Sequence, residues 1–298
     1  MNASTGSLPQ VTLFLMTEKG YRVLQYIVTH LDKSAVALVV GARDEQLAQD
    51  YFAEIQALCA QENIPFKSRH ESSGVASFCA LAVSWRWLIA GVDTLVVLHD
   101  SLLPRYRGFA PLVSCLLNGE PEIGVTALYA TAAFDAGPVL GAAARPVQYP
   151  IRIAEAVELA VECYVELIAR LWPSLQAGQL PPGVPQREAD ATYSLWRDEQ
   201  DYCIDWRLDS AYLRRFVDAL GWPYRGASTM LNGQRYRVLA AEAVPDVVIE
   251  NRVPGKVLFV HGMQPVVVCG TGLLRLLVLR TDEGREALPL AQFRSRFG

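Results

Sequence analysis

Apolar residues along the chain fall into short uninterrupted runs, separated by stretches in which they recur every three or four positions. Val11–Met16 (VTLFLM) is followed by Thr17-Glu18-Lys19-Gly20 and then by YRVLQYIVTHL, a succession that predicts strand, turn and helix. Ala35–Gly41 (AVALVVG) precedes a long amphipathic stretch over Asp44–Gln61, and Cys79–Trp85 (CALAVSW) and Thr94–His99 (TLVVLH) repeat the strand pattern. Apolar strands alternating with helices predict an α/β domain built on a doubly wound, mostly parallel sheet. A helical run over Phe109–Leu117 comes next, then a strand pair, Ile123–Ala130 and Pro138–Val147, joined by Thr131–Gly137. A helix from about Ile151 to Leu175 is expected to close this domain, giving it residues 1–176.

The pattern changes after that helix. Between Gln176 and Ala189 there are three prolines, two glycines and few apolar residues, so 177–206 reads as a linker. A helix is expected over Ser210–Leu220, and the short runs RYRVLAA, GKVLFV, QPVVVC and LLRLLVL are separated by turn residues. That spacing predicts a smaller, barrel-like β domain over 207–298 with a core of its own, attached as a satellite that serves acceptor binding or homodimer contacts.

Composition narrows the picture. Hydrophobic residues make up 51% and charged residues 19% of 298, as in a packed globular protein. No apolar run reaches the roughly 20 residues of a membrane span, and MNASTGSLPQ lacks the order of a signal peptide, so a cytoplasmic location is expected. The six cysteines form no CxxC pair and the four histidines lie far apart, so no metal site is expected. Before residue 205 there are 14 basic against 22 acidic residues, and from there on 13 against 9. With no block of like charges, a nucleic-acid partner is not expected.

Candidate chemistry concentrates in two stretches. In parallel α/β sheets ligands bind at the carboxyl ends of the strands, and TLVVL delivers His99 there. An ordered loop follows, VLHDSLLPRYRG, because Pro104 keeps the residue before it out of helical geometry. About 30 residues on, the loop between the strand pair carries Asp135 in Asp-Ala-Gly. An imidazole suits proton transfer near neutral pH, and a carboxylate beside it can orient it.

His-x-Ser-Leu-Leu-Pro with Arg-Gly, then Gly-Val-Thr and Asp-x-Gly, resembles the signature of formyltransferases that use 10-formyltetrahydrofolate. SWRWLI (Ser84–Ile89) is similar to that family's folate-cleft segment, and ATYSLWRDEQDYCIDW and WPYRGA resemble the approach to its C-terminal domain. The resemblance covers nearly the whole chain and implies a Rossmann-like catalytic domain. It assigns catalysis to His99 and Asp135, substrate contacts to Ser101, Arg105, Tyr106 and Arg107, and folate contacts to Trp85, Arg86, Trp87, Leu88, Leu103 and Pro104. The family's third catalytic residue, an asparagine two positions before the histidine, is here Val97, which donates no hydrogen bond.

The resemblance therefore implies transfer of a formyl group from 10-formyltetrahydrofolate to an amine, with a small nucleotide-linked amino sugar preferred as acceptor over methionyl-tRNA. Val97 leaves other readings open: a pseudoenzyme that binds folate or a nucleotide sugar, a formyl hydrolase, or another acyl transferase. Ser101, a protonated Asp100 and the backbone amides of residues 100–103 are candidates for the missing donor.

Overall fold

A computed structural model describes residues 11–45, 47–72 and 77–298. Val11–Leu15 (β1) leads into Thr17–His30 (α1), and Val36–Gly41 (β2), Phe52–Gln61 (α2), Phe66–Ser68 (β3), Ser77–Val83 (β4) and Val92–His99 (β5) follow. Arg107–Gly108 (β6), Pro111–Asn118 (α3), Glu122–Tyr129 (β7), Val139–Pro146 (β8) and Ile153–Ala177 (α4) complete this part. The seven-stranded sheet has the order β3-β2-β1-β4-β5-β7-β8. The first five strands run parallel, while β7 and β8 are antiparallel to their neighbours.

Alternation along the strands sends side chains to two faces, and the helices occupy one of them. Leu13, Leu81, Val96 and Val125 meet Leu24 and Ile27 of α1, Ile55 of α2, Leu116 of α3 and Leu167 of α4 in a single buried cluster. The opposite face holds a second cluster of Phe14, Val40, Ala80 and Ala82, with Trp85, Ile89, Leu95 and Val97 packed against it and no helical residue in it. The mostly parallel α/β sheet is present as expected, but among the described residues the helices line one face only. The reason is local: residues 84–91 join the parallel neighbours β4 and β5 without a helix.

Tyr193–Ser194 (β9) and Ser210–Ala219 (α5) precede the second sheet, formed by Ala227–Leu231 (β10), Gln234–Val244 (β11), Val257–His261 (β12), Gln264–Val268 (β13) and Leu273–Thr281 (β14). It is antiparallel in the order β10-β11-β14-β13-β12. The end of the chain bridges both edges. Met230 and Gly298 exchange backbone hydrogen bonds of 2.7 and 2.9 Å, and Val257 N donates to Ser295 O at 3.0 Å. The sheet is thereby closed in the manner of a small barrel. Phe297 is buried against the Trp206 ring at 5.7 Å. Phe297→Ala should cost about 3–5 kcal/mol, the usual range for emptying such a site. Thermal denaturation checks this, and an unchanged Tm would contradict it.

The second sheet is not an isolated satellite. Helix α5, capped by Asp209 through bonds from Ala211 N and Tyr212 N, contributes Leu213 and Val217 to the same continuous core as Leu116 and Val238. Residues 177–206, expected as a linker, are tied to the first part of the chain. Val184 and Val139 exchange two backbone bonds of 2.8 Å, Tyr129 Oη donates to Pro181 O at 2.8 Å, and β9 pairs in parallel with β6. Polar and backbone contacts hold the segment where apolar ones are few. Among the described residues, no helix is long and apolar enough to cross a membrane.

Candidate active site

Val96 and Leu98 of β5 enter the helix-side core, so Val97 and His99 share the other face. His99 closes the strand and is 7% exposed. Its Nε2 lies 2.8 Å from Tyr106 O, and its Nδ1 lies 3.5 Å from Asp135 Oδ1. A carbonyl oxygen only accepts, so Nε2 carries a proton there, and in the neutral ring the free lone pair is on Nδ1, facing the carboxylate. A proton arriving at Nδ1 is held between the ring and Asp135. The structure thus brings the two residues together at the carboxyl end of β5.

Asp135 is fixed from both sides. Its Oδ2 accepts from Gly108 N at 2.8 Å, and its backbone, in the left-handed region at φ 52°, has its carbonyl bonded by Gln186 Nε2 at 2.7 Å. Gly108 is at φ +100°, and a Cβ there would meet Ser194 O at 2.6 Å. Only glycine satisfies both conditions. Gly108→Ala should therefore separate β6 from β9, withdraw the amide from Asp135 and cost about 1–3 kcal/mol. A Tm equal to that of the parent protein would contradict this.

The residues expected to contact substrate are held by partners within the protein. Ser101 is fully buried, and its hydroxyl donates to Arg105 O at 2.7 Å. Arg107 turns inward with its side chain 2% exposed: Nε and Nη2 donate to Gln186 Oε1 at 3.2 and 3.0 Å, and Nη1 donates to Glu188. Arg105 is exposed but paired with Glu120, which also accepts from the Tyr106 hydroxyl at 2.5 Å. Burial pushes the Tyr106 phenol above its ordinary range, and Asn118 Nδ2 donates to it at 2.9 Å. These four residues frame the loop, and Ser101, Tyr106 and Arg107 present no free polar head to a ligand.

The expected folate residues divide. Trp85 packs on the Val97 face with its ring 5.1 Å from Phe14, and its buried Nε1 has no hydrogen-bond partner among the described residues. Trp87 lies beneath the Arg69 guanidinium at 4.1 Å, and Leu88 is 88% exposed. Arg86 is paired with the buried Asp44. Leu103 and Pro104 are half-buried, Leu103 N donating to Thr126 Oγ1 at 3.1 Å and Pro104 O accepting from Thr192 N at 3.2 Å.

Several of the groups offered as substitutes for an asparagine at Val97 are in use. The Ser101 hydroxyl and Leu103 N are engaged as described, and Ser101 N bonds His99 O at 2.8 Å. Asp100 receives Lys19 Nζ on one oxygen and the Tyr164 hydroxyl, at 2.5 Å, on the other. A carboxylate filled by two donors is an acceptor, not a protonated donor. Burial, reinforced by the Asp100 charge, holds the Tyr164 phenol far above its usual range. Lys19, Tyr164 and Gln186 had no motif to mark them; each reaches the site from a distant part of the chain.

Two cavities, of about 380 and 410 Å³, lie elsewhere: the first is lined by Asp93, Thr94 and Tyr129 at the opposite end of β5, and the second by Arg225, Arg237 and Arg280 at the C-terminal sheet.

The formyl transferase family model matches residues 75–158, and the model for the formyl transferase C-terminal domain matches residues 197–297; together they span more than half of the chain. A methionyl-tRNA formyltransferase from Streptococcus sanguinis is 28% identical over 211 residues, covering 71% of this chain and 66% of that protein, just under two thirds of its length. A sugar 3N-formyl transferase solved with dTDP and 5-N-formyl-THF superimposes with a TM-score of 0.69 at 13% identity, covering 93% of this chain and 98% of the other. An N-formyltransferase from Helicobacter canadensis, solved with folinic acid and dTDP-3-aminofucose, gives 0.68 at 13% identity over 90% and 99%.

Proposed function

This chain belongs to the formyl transferase family, and on that premise we propose that it moves a formyl group from 10-formyltetrahydrofolate to the amine of a small nucleotide-linked amino sugar. The observation that carries the proposal is the His99–Asp135 pair at the end of β5, 3.5 Å apart. The attacking amine nitrogen forms a bond to the formyl carbon and sheds a proton. Nδ1 of His99 takes that proton, and Asp135 steadies the charged ring. The bond from the formyl carbon to N10 of the folate then breaks, and the same proton passes to N10, so atoms and charge balance.

The residues fit a folate. Beside Val97, the partly exposed Trp85 and Ile89 suit a flat heteroaromatic ring, and the unpartnered Trp85 Nε1–H suits an acceptor on it. A sugar acceptor is supported by the dTDP and dTDP-sugar bound in the two solved relatives, and by the acidic balance before residue 205, which disfavours a tRNA.

A second reading draws on one observation. Val97 supplies no donor and the loop donors described above are occupied, which favours a protein that binds the same ligands without transferring the formyl group. Incubating the purified chain with 10-formyltetrahydrofolate and either dTDP-3-aminofucose or methionyl-tRNA, while following tetrahydrofolate release, separates the readings. Release that requires the sugar supports the proposal, whereas release without any acceptor supports a hydrolase. Binding without release supports the second reading.

A further inference from the structure

We propose that Gln186 is a positioning residue of this reaction centre, holding Asp135 in line with His99 from a segment that neither family model matches. The inference rests on the reading of His99 and Asp135 as the reacting pair. Its basis is a chain of hydrogen bonds whose direction is fixed. Arg107 only donates, so the Gln186 oxygen must face it, at 3.2 and 3.0 Å. The Gln186 nitrogen must then face the other way, where it donates to Asp135 O at 2.7 Å and to Gly137 O at 2.8 Å. Arg107 cannot swing out of this arrangement without leaving a buried position, where Glu188 balances its charge.

The two carbonyls belong to the turn that carries Asp135 in its left-handed conformation. An aspartate persists in that region only where its surroundings over-determine it. Gly108 N ties the carboxylate at Oδ2, and Gln186 ties the backbone at O, leaving Oδ1 to face His99 Nδ1. Removing the carbonyl anchor frees the turn to rotate about the remaining bond. Gln186 touches neither ring nor carboxylate, so its influence on the reaction runs through Asp135.

Gln186→Glu separates positioning from mere support, because it keeps an oxygen for Arg107 while replacing both donated bonds with repulsion against two carbonyls. Gln186→Met, similar in length and uncharged, guards against an effect of the new charge alone. Both variants should lower kcat by about 100-fold, the typical result of a displacement near 1 Å, and leave the KM for 10-formyltetrahydrofolate unchanged. In an Asp135→Ala background, Gln186→Glu should cost nothing further, since the two act as one unit.

The imidazole nitrogen resonances of His99, assigned by their loss in His99→Ala, give a readout that needs no acceptor. Asp135→Ala should move them, and both Gln186 variants should move them in the same direction. If Asp135→Ala moves them and folded Gln186 variants do not, the inference is overturned while the reacting pair stands. If Asp135→Ala itself moves nothing, the pair fails first. Loss of fold in both Gln186 variants shows structural support alone and also overturns the inference.

Discussion

His99→Ala is expected to slow formyl transfer by about 100- to 10,000-fold, the contribution that a positioned acid–base group makes. The ring is anchored by Tyr106 O on one side and faces Asp135 on the other, so its removal leaves Asp135 without the imidazole it steadies. Asp100 is the nearest acid in sequence, but Lys19 and Tyr164 already occupy its oxygens. The loss should fall on kcat, because the imidazole is 7% exposed and contributes little surface to ligand binding. Titration of folinic acid into the variant checks that point: its affinity should match that of the parent protein. Turnover within a few-fold of the parent would remove His99 from the reaction.

Val97→Asn is the second large effect, and it runs in the opposite direction. Val97 is half-buried on the face it shares with His99, about 7 Å along the strand at two residues' rise. Its cross-strand partners are Ala82 on β4 and Leu128 on β7, so the position is apolar on both sides. An asparagine amide there supplies a side-chain donor that valine lacks, and one donor aimed at a developing oxyanion is worth about 100- to 1,000-fold in rate. The same amide lacks a partner when no ligand is bound, which should cost about 1–3 kcal/mol of stability. A lower Tm together with a higher kcat is therefore the expected signature. A lower Tm with no gain in kcat would show that this face does not meet the formyl oxygen.

Much of the frame was legible in the sequence because its signals are local. Short apolar strands between amphipathic helices announce a parallel sheet, and a strand that ends in histidine places that residue at the ligand rim. Asp135 was legible for the same reason, as it sits in the loop of a strand pair. The roles of Arg105 and Arg107 were not. Two arginines flanking a tyrosine after a proline look solvated, yet Tyr106 between them takes a left-handed conformation, and only one of the two arginines ends outside. Gln186 was invisible because its partners lie 49 to 79 positions away and depend on the two-residue pairing of β6 with β9, too short to leave any periodicity. That the second face carries no helix among the described residues was not legible, because strands alternating with helices give no indication of which side each helix covers. A crossover as short as residues 84–91 is a local hint that one side goes without.

The central claim is that this chain carries a formyl group to an amine through His99 and Asp135. Mass spectrometry of the acceptor tests it most directly, after the chain has been incubated with 10-formyltetrahydrofolate labelled isotopically in its formyl carbon and with dTDP-3-aminofucose. The account predicts label on the sugar amine with the parent protein and almost none with His99→Ala or Asp135→Ala. Label that appears equally with all three proteins, or unlabelled sugar beside a parent protein that binds folinic acid, would contradict it.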